Sequence, residues 1–419
     1  MPYKRILFVS AAYLLLGRWL TPVRSPWKHA VFAFVNVLAV YLIYAWDNDN
    51  ELGLLPNSFL FVVYLAVVSA QFLAMRCWGK RPGWLPWLAF LIPIGVLALI
   101  RYVPVRVLAG LFGPTPLQFV QRHPEFTLGS VFIGFSYLAF RTSSLVLEVR
   151  NGVVPQPSVG EYFGFAFFLP TMSLGPISPF SIYRRSFEEA PSAIPIGAAL
   201  LRILLGAVKF RFLGPLLNQL TYSGLLQDGH PHLWVDLPVA AIAYYLYLYC
   251  NFSGFCDIAI GAAGFMHISV AENFNNPFVA RNLQDFWNRW HITLSHYMRD
   301  IVFSPLSKAL VRITGPARAN HAIAAAIFVV FLLVGIWHGT GWNYAAFGAI
   351  HGIGLTINHY YTFYLKKWLG KARFAAYERN PYIRGAAVSL TFSYVAAALF
   401  VFANDFASMR GILASLRSS

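Results

Sequence analysis

Charged side chains are what this sequence has least of. Only 11% of its 419 residues are Asp, Glu, Lys or Arg, where a soluble chain carries roughly 25%. That is too little polar material to clothe a water-soluble fold, and lipid takes the place of the missing shell. Cysteine is scarce too. Cys77, Cys250 and Cys256 match no disulfide framework, redox pair or metal-ligand spacing, and read as small buried hydrophobes. The chain has no H-E-x-x-H, no convincing carboxylate cluster and no G-x-S-x-G, which argues against a metal hydrolase and a Ser–His–Asp hydrolase. It has no strong internal repeat, which weakens the transporter folds built from repeated halves.

Apolar and aromatic residues are plentiful, at 58% and 17%. Several runs approach the roughly 20 residues that cross a bilayer. The clearest are 30–46, 58–75, 85–100, 129–147, 163–177, 238–265, 322–337, 342–365 and 386–402; 6–16 and 194–217 are weaker. Open backbone is unsatisfied in hydrocarbon and these runs lack barrel alternation, so helices are expected, about 9–12 spans in all. The expected fold is an all-α polytopic membrane protein. It forms one integral membrane domain over 1–419, with peripheral helices in 1–116 and a catalytic helical core in 129–365. The 6–16 run has the look of a signal-peptide core, but no small-residue cleavage site follows it.

The net charge of +16 does not point to nucleic acid, because it is scattered through short loops. Positive loops held on the cytoplasmic side explain it. Arg76, Lys80 and Arg81 form one such loop, and the acidic loop with Asp47, Asp49 and Glu51 is expected outside. Arg141 stands inside an apolar run, as do Arg202, Lys209 and Arg211. A charge at membrane depth costs roughly 2.5–3.5 kcal/mol on insertion scales. Snorkelling suits Lys209 and Arg211; Arg141 faces a cavity or snorkels. Leu169-Pro-Thr-Met-Ser-Leu-Gly-Pro-Ile177 carries two prolines and a glycine. It either ends a span or supplies irregular backbone to a chamber.

Two places break the apolar pattern with histidine. In 273–308, Trp287, Trp290, His291, Leu294, Ser295 and Met298 recur at helical spacing. They predict one amphipathic, Trp-rich helix, too polar to span, lying at the interface or dipping into the protein. Asp285 and Arg289 form an i,i+4 pair on it. The bland reading is an anchor helix, which leaves His291 on the apolar face unexplained. In Ile336-Trp-His-Gly-Thr-Gly-Trp-Asn343, His338 closes an apolar run, and glycines at 335, 339 and 341 allow close approach of backbone or ligand. His338 is a functional residue or a histidine bonding a loop carbonyl. His351 and His359 lean structural. A histidine titrating near neutrality can take a proton from an acceptor hydroxyl, which suits acyl transfer from an activated donor.

Phe286-Trp-Asn-Arg-Trp-His291, Leu294-Ser295, Arg299-Asp300 and Trp337-His338-Gly339 together resemble the membrane-bound O-acyltransferase family. Leu169 to Ile177, Asn251-Phe-Ser-Gly-Phe-Cys-Asp257 and Asn275-Asn-Pro-Phe-Val-Ala-Arg-Asn282 fit it too, so the resemblance covers roughly 132–359. It implies a ring of tilted helices, with re-entrant or interfacial helices, around a central channel. It implies His338 as the catalytic histidine and His291 as its characteristic partner. The chain is most similar to the bacterial polymer-modifying branch of the family. Tyr137-Leu-Ala-Phe-Arg141, Glu148-Val-Arg-Asn-Gly152 and Arg299-Asp-Ile-Val-Phe303 suit D-alanyl transfer. Phe303-Ser-Pro-Leu-Ser-Lys308 lacks the glycines usual in alginate-type acetyl transfer.

The expected reaction carries an acyl group, D-alanyl favoured over acetyl, to a hydroxyl of an extracytoplasmic polymer or glycan. The donor would be the phosphopantetheine thioester of an acyl carrier protein, with no tightly bound cofactor. The expected surroundings are the lipid of the bacterial cytoplasmic membrane, with multiple passes. The rivals are a non-catalytic transporter or flippase, and acyl transfer to a protein acceptor.

Overall fold

A computed structural model describes residues 2–45, 57–103, 134–188, 195–225 and 233–415. The acidic loop at 47–51 and the first residues of the 129–147 and 194–217 runs lie outside the described residues. Among those described, the regular elements are helices, with one isolated antiparallel bridge between Phe274 and Trp290. Five of the described helices are long and apolar enough to cross a membrane: Phe61–Trp78, Leu85–Tyr102, Trp234–Phe265, Pro316–His338 and Pro381–Ala403. Ile6–Leu20 and Lys28–Ile43 are shorter apolar helices. The expectation of about 9–12 spans counted every apolar run. Some of those runs fold into elements other than one long apolar helix.

The 163–177 run is the clearest correction. It is not a span: the helix Val159–Ala166 stops, Leu169–Met172 makes a single turn, and the chain then runs irregularly to the helix Phe180–Glu188. The two prolines cannot donate backbone hydrogen bonds, and Gly175 sits where a Cβ would lie 2.9 Å from Thr171 Cβ. The 342–365 run continues within Trp342–Arg379, 38 residues long, until Gly370 breaks the helix at φ +70°.

The chain forms two compact units. The first holds Met1–Gly206 and Phe255–Ala271. Its interior is polar in places, and several of the polar groups are matched. Tyr13 donates to Asn36 Oδ1 at 2.7 Å, Tyr162 to Gln71 Oε1 at 2.8 Å, and Ser143 to the Phe90 carbonyl at 2.8 Å. Arg141, 1% exposed, lies in the helix Phe135–Arg150. Its guanidinium donates to the carbonyl of Phe165 and lies 4.6 Å from that ring's centroid. The buried cation thus meets the end of the helix Val159–Ala166, where the same carbonyl also accepts from the Phe168 N–H at 3.3 Å. Glu148, on the same helix as Arg141, accepts from the backbone N–H groups of Phe180 and Ser181, both at 2.9 Å, and so caps the helix Phe180–Glu188. Arg202 pairs with Asp257 at 3.0 Å.

The second unit holds Ala207–Gly254 and Glu272–Ser419. It contains both histidine motifs. Lys209 stands 5.6 Å over the ring of Tyr249, and Arg211 is exposed. The helices Ala319–His338 and Trp342–Arg379 form a hairpin. They cross at Gly335 and Gly348, where a Cβ on Gly335 would come within 2.8 Å of Gly348 Cα. Asn380 caps the next helix, Pro381–Ala403, by accepting from the N–H groups of Tyr382 and Ile383.

Candidate active site

The stretch around His291 departs from the single helix that its periodicity predicts. Leu283–Trp287 forms a short helix, capped by Asn282 Oδ1 accepting from the Asp285 N–H at 2.8 Å. The chain then leaves helical geometry, and His291 takes the left-handed conformation at φ +46°. A non-glycine residue held there costs about 1–3 kcal/mol, which surrounding structure must offset. That structure is the strip 273–275, running antiparallel to 289–292. The Asn275 N–H donates to the Arg289 carbonyl at 2.9 Å, and the Ile292 N–H to the Asn273 carbonyl at 3.0 Å. Helix resumes at Ile292–Met298 and passes through a π-turn, Arg299–Phe303, into Ser304–Thr314.

The predicted face is buried all the same. Trp287, Trp290, His291 and Leu294 are buried, and Ser295 and Met298 are half-buried. The Asp285–Arg289 pair forms at 2.8 Å, with Arg281 joining at 3.6 Å. Burial alone would push the Asp285 carboxyl up. The Arg281 backbone N–H and the Arg289 guanidinium outweigh burial and hold it below its ordinary value.

His291 is 3% exposed. Its Nδ1 lies 3.2 Å from Asn273 Oδ1, and its ring meets Phe252 edge-on at 4.7 Å. Asn273 Oδ1 also accepts from the Thr293 N–H at 3.2 Å and from the Thr293 hydroxyl at 2.9 Å. Burial, with nearby charge on His338 adding to it, pushes the His291 pKa down to about 3, so the ring is neutral near pH 7.

His338 is the last residue of Ala319–His338 and is only half-buried. Its ring lies 4.6 Å from Trp337, 5.0 Å from Phe402 and 6.2 Å from Phe347. Trp337 is in turn 6.3 Å from His291, so the two predicted histidines come together around one indole. The glycines that follow are packed closely: a Cβ on Gly339 would overlap the ring of Tyr344.

Two further residues join this group that sequence reasoning did not single out. Asn273 read only as the edge of a polar segment, though an amide ahead of Asn275-Asn-Pro marks a place where helix cannot run. His351 read as structural. It is 1% exposed, its Nδ1 accepts from the Trp287 indole N–H at 3.3 Å, and its ring lies 4.6 Å from Phe347. The signal for it was its place four residues after Phe347 in a helix face rich in glycine (Gly348, Gly352). His359 lies two turns further on, against Tyr360. Among the described residues no group of His, Cys, Asp and Glu could hold a metal ion. The chemistry available is that of an accessible imidazole beside two buried ones.

The description of the membrane-bound O-acyltransferase family matches residues 21–384. The teichoic acid D-alanyltransferase of Streptococcus thermophilus is 30% identical over 376 residues, covering 82% of this chain and 88% of that one. The protein of the same name in Bacillus subtilis is 27% identical over 411 residues, covering 96% and 97%. A probable alginate O-acetylase of Pseudomonas aeruginosa is 28% identical over 330 residues, covering 77% of this chain and 59% of that one. With this match and five helices able to cross a bilayer, the chain belongs to the membrane-bound O-acyltransferase family and is a multi-pass bacterial membrane acyltransferase.

Proposed function

We propose that the protein transfers a D-alanyl group from the phosphopantetheine thioester of a cytoplasmic carrier protein to a hydroxyl of an envelope polymer, with His338 as general base. The observation that carries this reading is the contrast between the two motif histidines. His291 is buried, with a pKa near 3, too weak a base for work at neutrality. His338 is half-buried and so open to an incoming hydroxyl. General bases work best with a pKa near the working pH and contribute roughly 10²–10⁴ in rate.

In this reading a His338 ring nitrogen takes the proton as the acceptor oxygen attacks the thioester carbonyl. The C–O bond forms, the C–S bond breaks, and the imidazolium returns the proton to the departing thiolate. His291 stays neutral and orients the reacting groups. Docking of an acidic carrier is supported by the helix Ser304–Thr314. It exposes Lys308 and Arg312 one turn apart, beside Ile313, which is 79% exposed, with Arg318 following. The acceptor class rests on the names of the two D-alanyltransferase relatives.

Acetyl transfer to a polysaccharide is the second reading, favoured by the alginate O-acetylase relative. Purified protein in liposomes, offered D-alanyl and acetyl thioesters with a polyol-phosphate polymer, tests the proposal. Label from the D-alanyl carrier should appear on the polymer in a base-labile ester. Transfer of acetyl alone would reject D-alanyl in favour of acetyl.

A further inference from the structure

The hydrogen-bond chemistry around His291 and His351 fixes more than their positions. The Thr293 backbone N–H can only donate, and it points at the same Asn273 atom that faces His291 Nδ1. That atom is therefore the amide oxygen, an acceptor, and His291 Nδ1 must carry the hydrogen. The proton of the neutral ring is then on Nδ1, and Nε2 holds a lone pair. At His351 the logic reverses. The Trp287 indole N–H is a donor and never an acceptor, so His351 Nδ1 is bare and its proton sits on Nε2. A second proton on either ring would set donor against donor or charge a buried group.

The two rings flank His338 through one aromatic each. His291 reaches it by way of Trp337, at 6.3 and 4.6 Å, and His351 by way of Phe347, at 4.6 and 6.2 Å. We propose that Asn273 and Trp287 are positioning residues that hold the two buried histidines in opposite tautomers, His291 as an acceptor at Nε2 and His351 as a donor at Nε2, on either chain side of His338. A base that first receives and then returns a proton is helped by both polarities near it, an acceptor that favours the imidazolium it becomes and a donor that faces the negative charge developing on the thioester oxygen. This role in transfer rests on the function proposed above; the tautomers themselves do not.

The test has a spectroscopic arm and a kinetic arm. Protein labelled with ¹⁵N in its imidazoles, held in nanodiscs near neutral pH, is compared with His291→Gln and His351→Gln to assign the two rings. Thermal melts confirm that each variant is folded. The expected spectra show hydrogen on Nδ1 of His291 and on Nε2 of His351. The same tautomer on both rings, or a doubly protonated ring, would overturn the assignment. Asn273→Leu should move the His291 proton to Nε2, and Asn273→Asp, which keeps an oxygen acceptor, should leave it on Nδ1.

In transfer assays Asn273→Leu should lower kcat at least about 10-fold with little change in acceptor KM, less than the roughly 10²–10⁴ of a general base itself because Asn273 acts through His291. Asn273→Asp should recover most of it. A folded Asn273→Leu protein with unchanged kcat would remove the positioning role. His338→Ala run in parallel separates the two ideas: full activity there defeats the proposed reaction while leaving the tautomers standing.

Discussion

Gly335 and Gly348 touch backbone to backbone. A methyl on Gly335 would lie 2.8 Å from Gly348 Cα, and one on Gly348 would lie 3.0 Å from Gly335 Cα. His338 is three residues beyond this crossing, so the contact sets where its ring emerges. Gly335→Val should cost about 1–3 kcal/mol by overpacking and lower the melting midpoint in detergent, and Gly335→Ala should cost less. Melting of the valine variant at the wild-type temperature would mean that the hairpin tolerates a wider crossing.

The neutrality of His291 has a consequence for stability. An unfolded histidine titrates near 6.5, while this one in the folded chain is pushed down to about 3 by burial and by charge on His338. Between those values the unfolded chain takes up a proton that the folded chain refuses. Stability from this group is complete above about pH 6.5 and falls as pH drops towards 3, by at most about 1.4 kcal/mol per pH unit. The melting midpoint of His291→Gln should therefore decline less steeply between pH 6.5 and 4.5 than that of the native protein. Parallel declines would contradict a neutral buried ring.

Much of this was legible in the sequence, and the limits have physical causes. Apolar length alone located the helices Asn57–Trp78, Leu85–Tyr102 and Pro381–Ala403, because bilayer thickness sets that length. His291 and His338 stood out as polar atoms in apolar settings. The break at 288–291 did not, since burial at helical spacing looks the same whether the chain is continuous or restarts. What decides it is Asn273, 18 residues earlier in the chain. His351 read as structural because its partner, Trp287, lies 64 residues away. The 163–177 run looked like a span by apolarity, although its prolines already argued for a break.

Reversal of Lys308 and Arg312 to Glu should slow transfer from a carrier-bound donor, and the difference should shrink as salt rises. Transfer from a small soluble thioester should change little, because it needs no docking surface. Equal loss with both donors would indicate damage to the helix Ser304–Thr314 itself. No loss with either would place the carrier elsewhere and favour the acetyl reading.

The central claim is that His338 is the base. Its most direct test is acyl transfer by His338→Ala, purified and reconstituted in parallel with native protein, with insertion checked by melting and protease protection. Loss of transfer by at least about 10² in a properly inserted variant is the predicted result, and transfer at the native rate would contradict it.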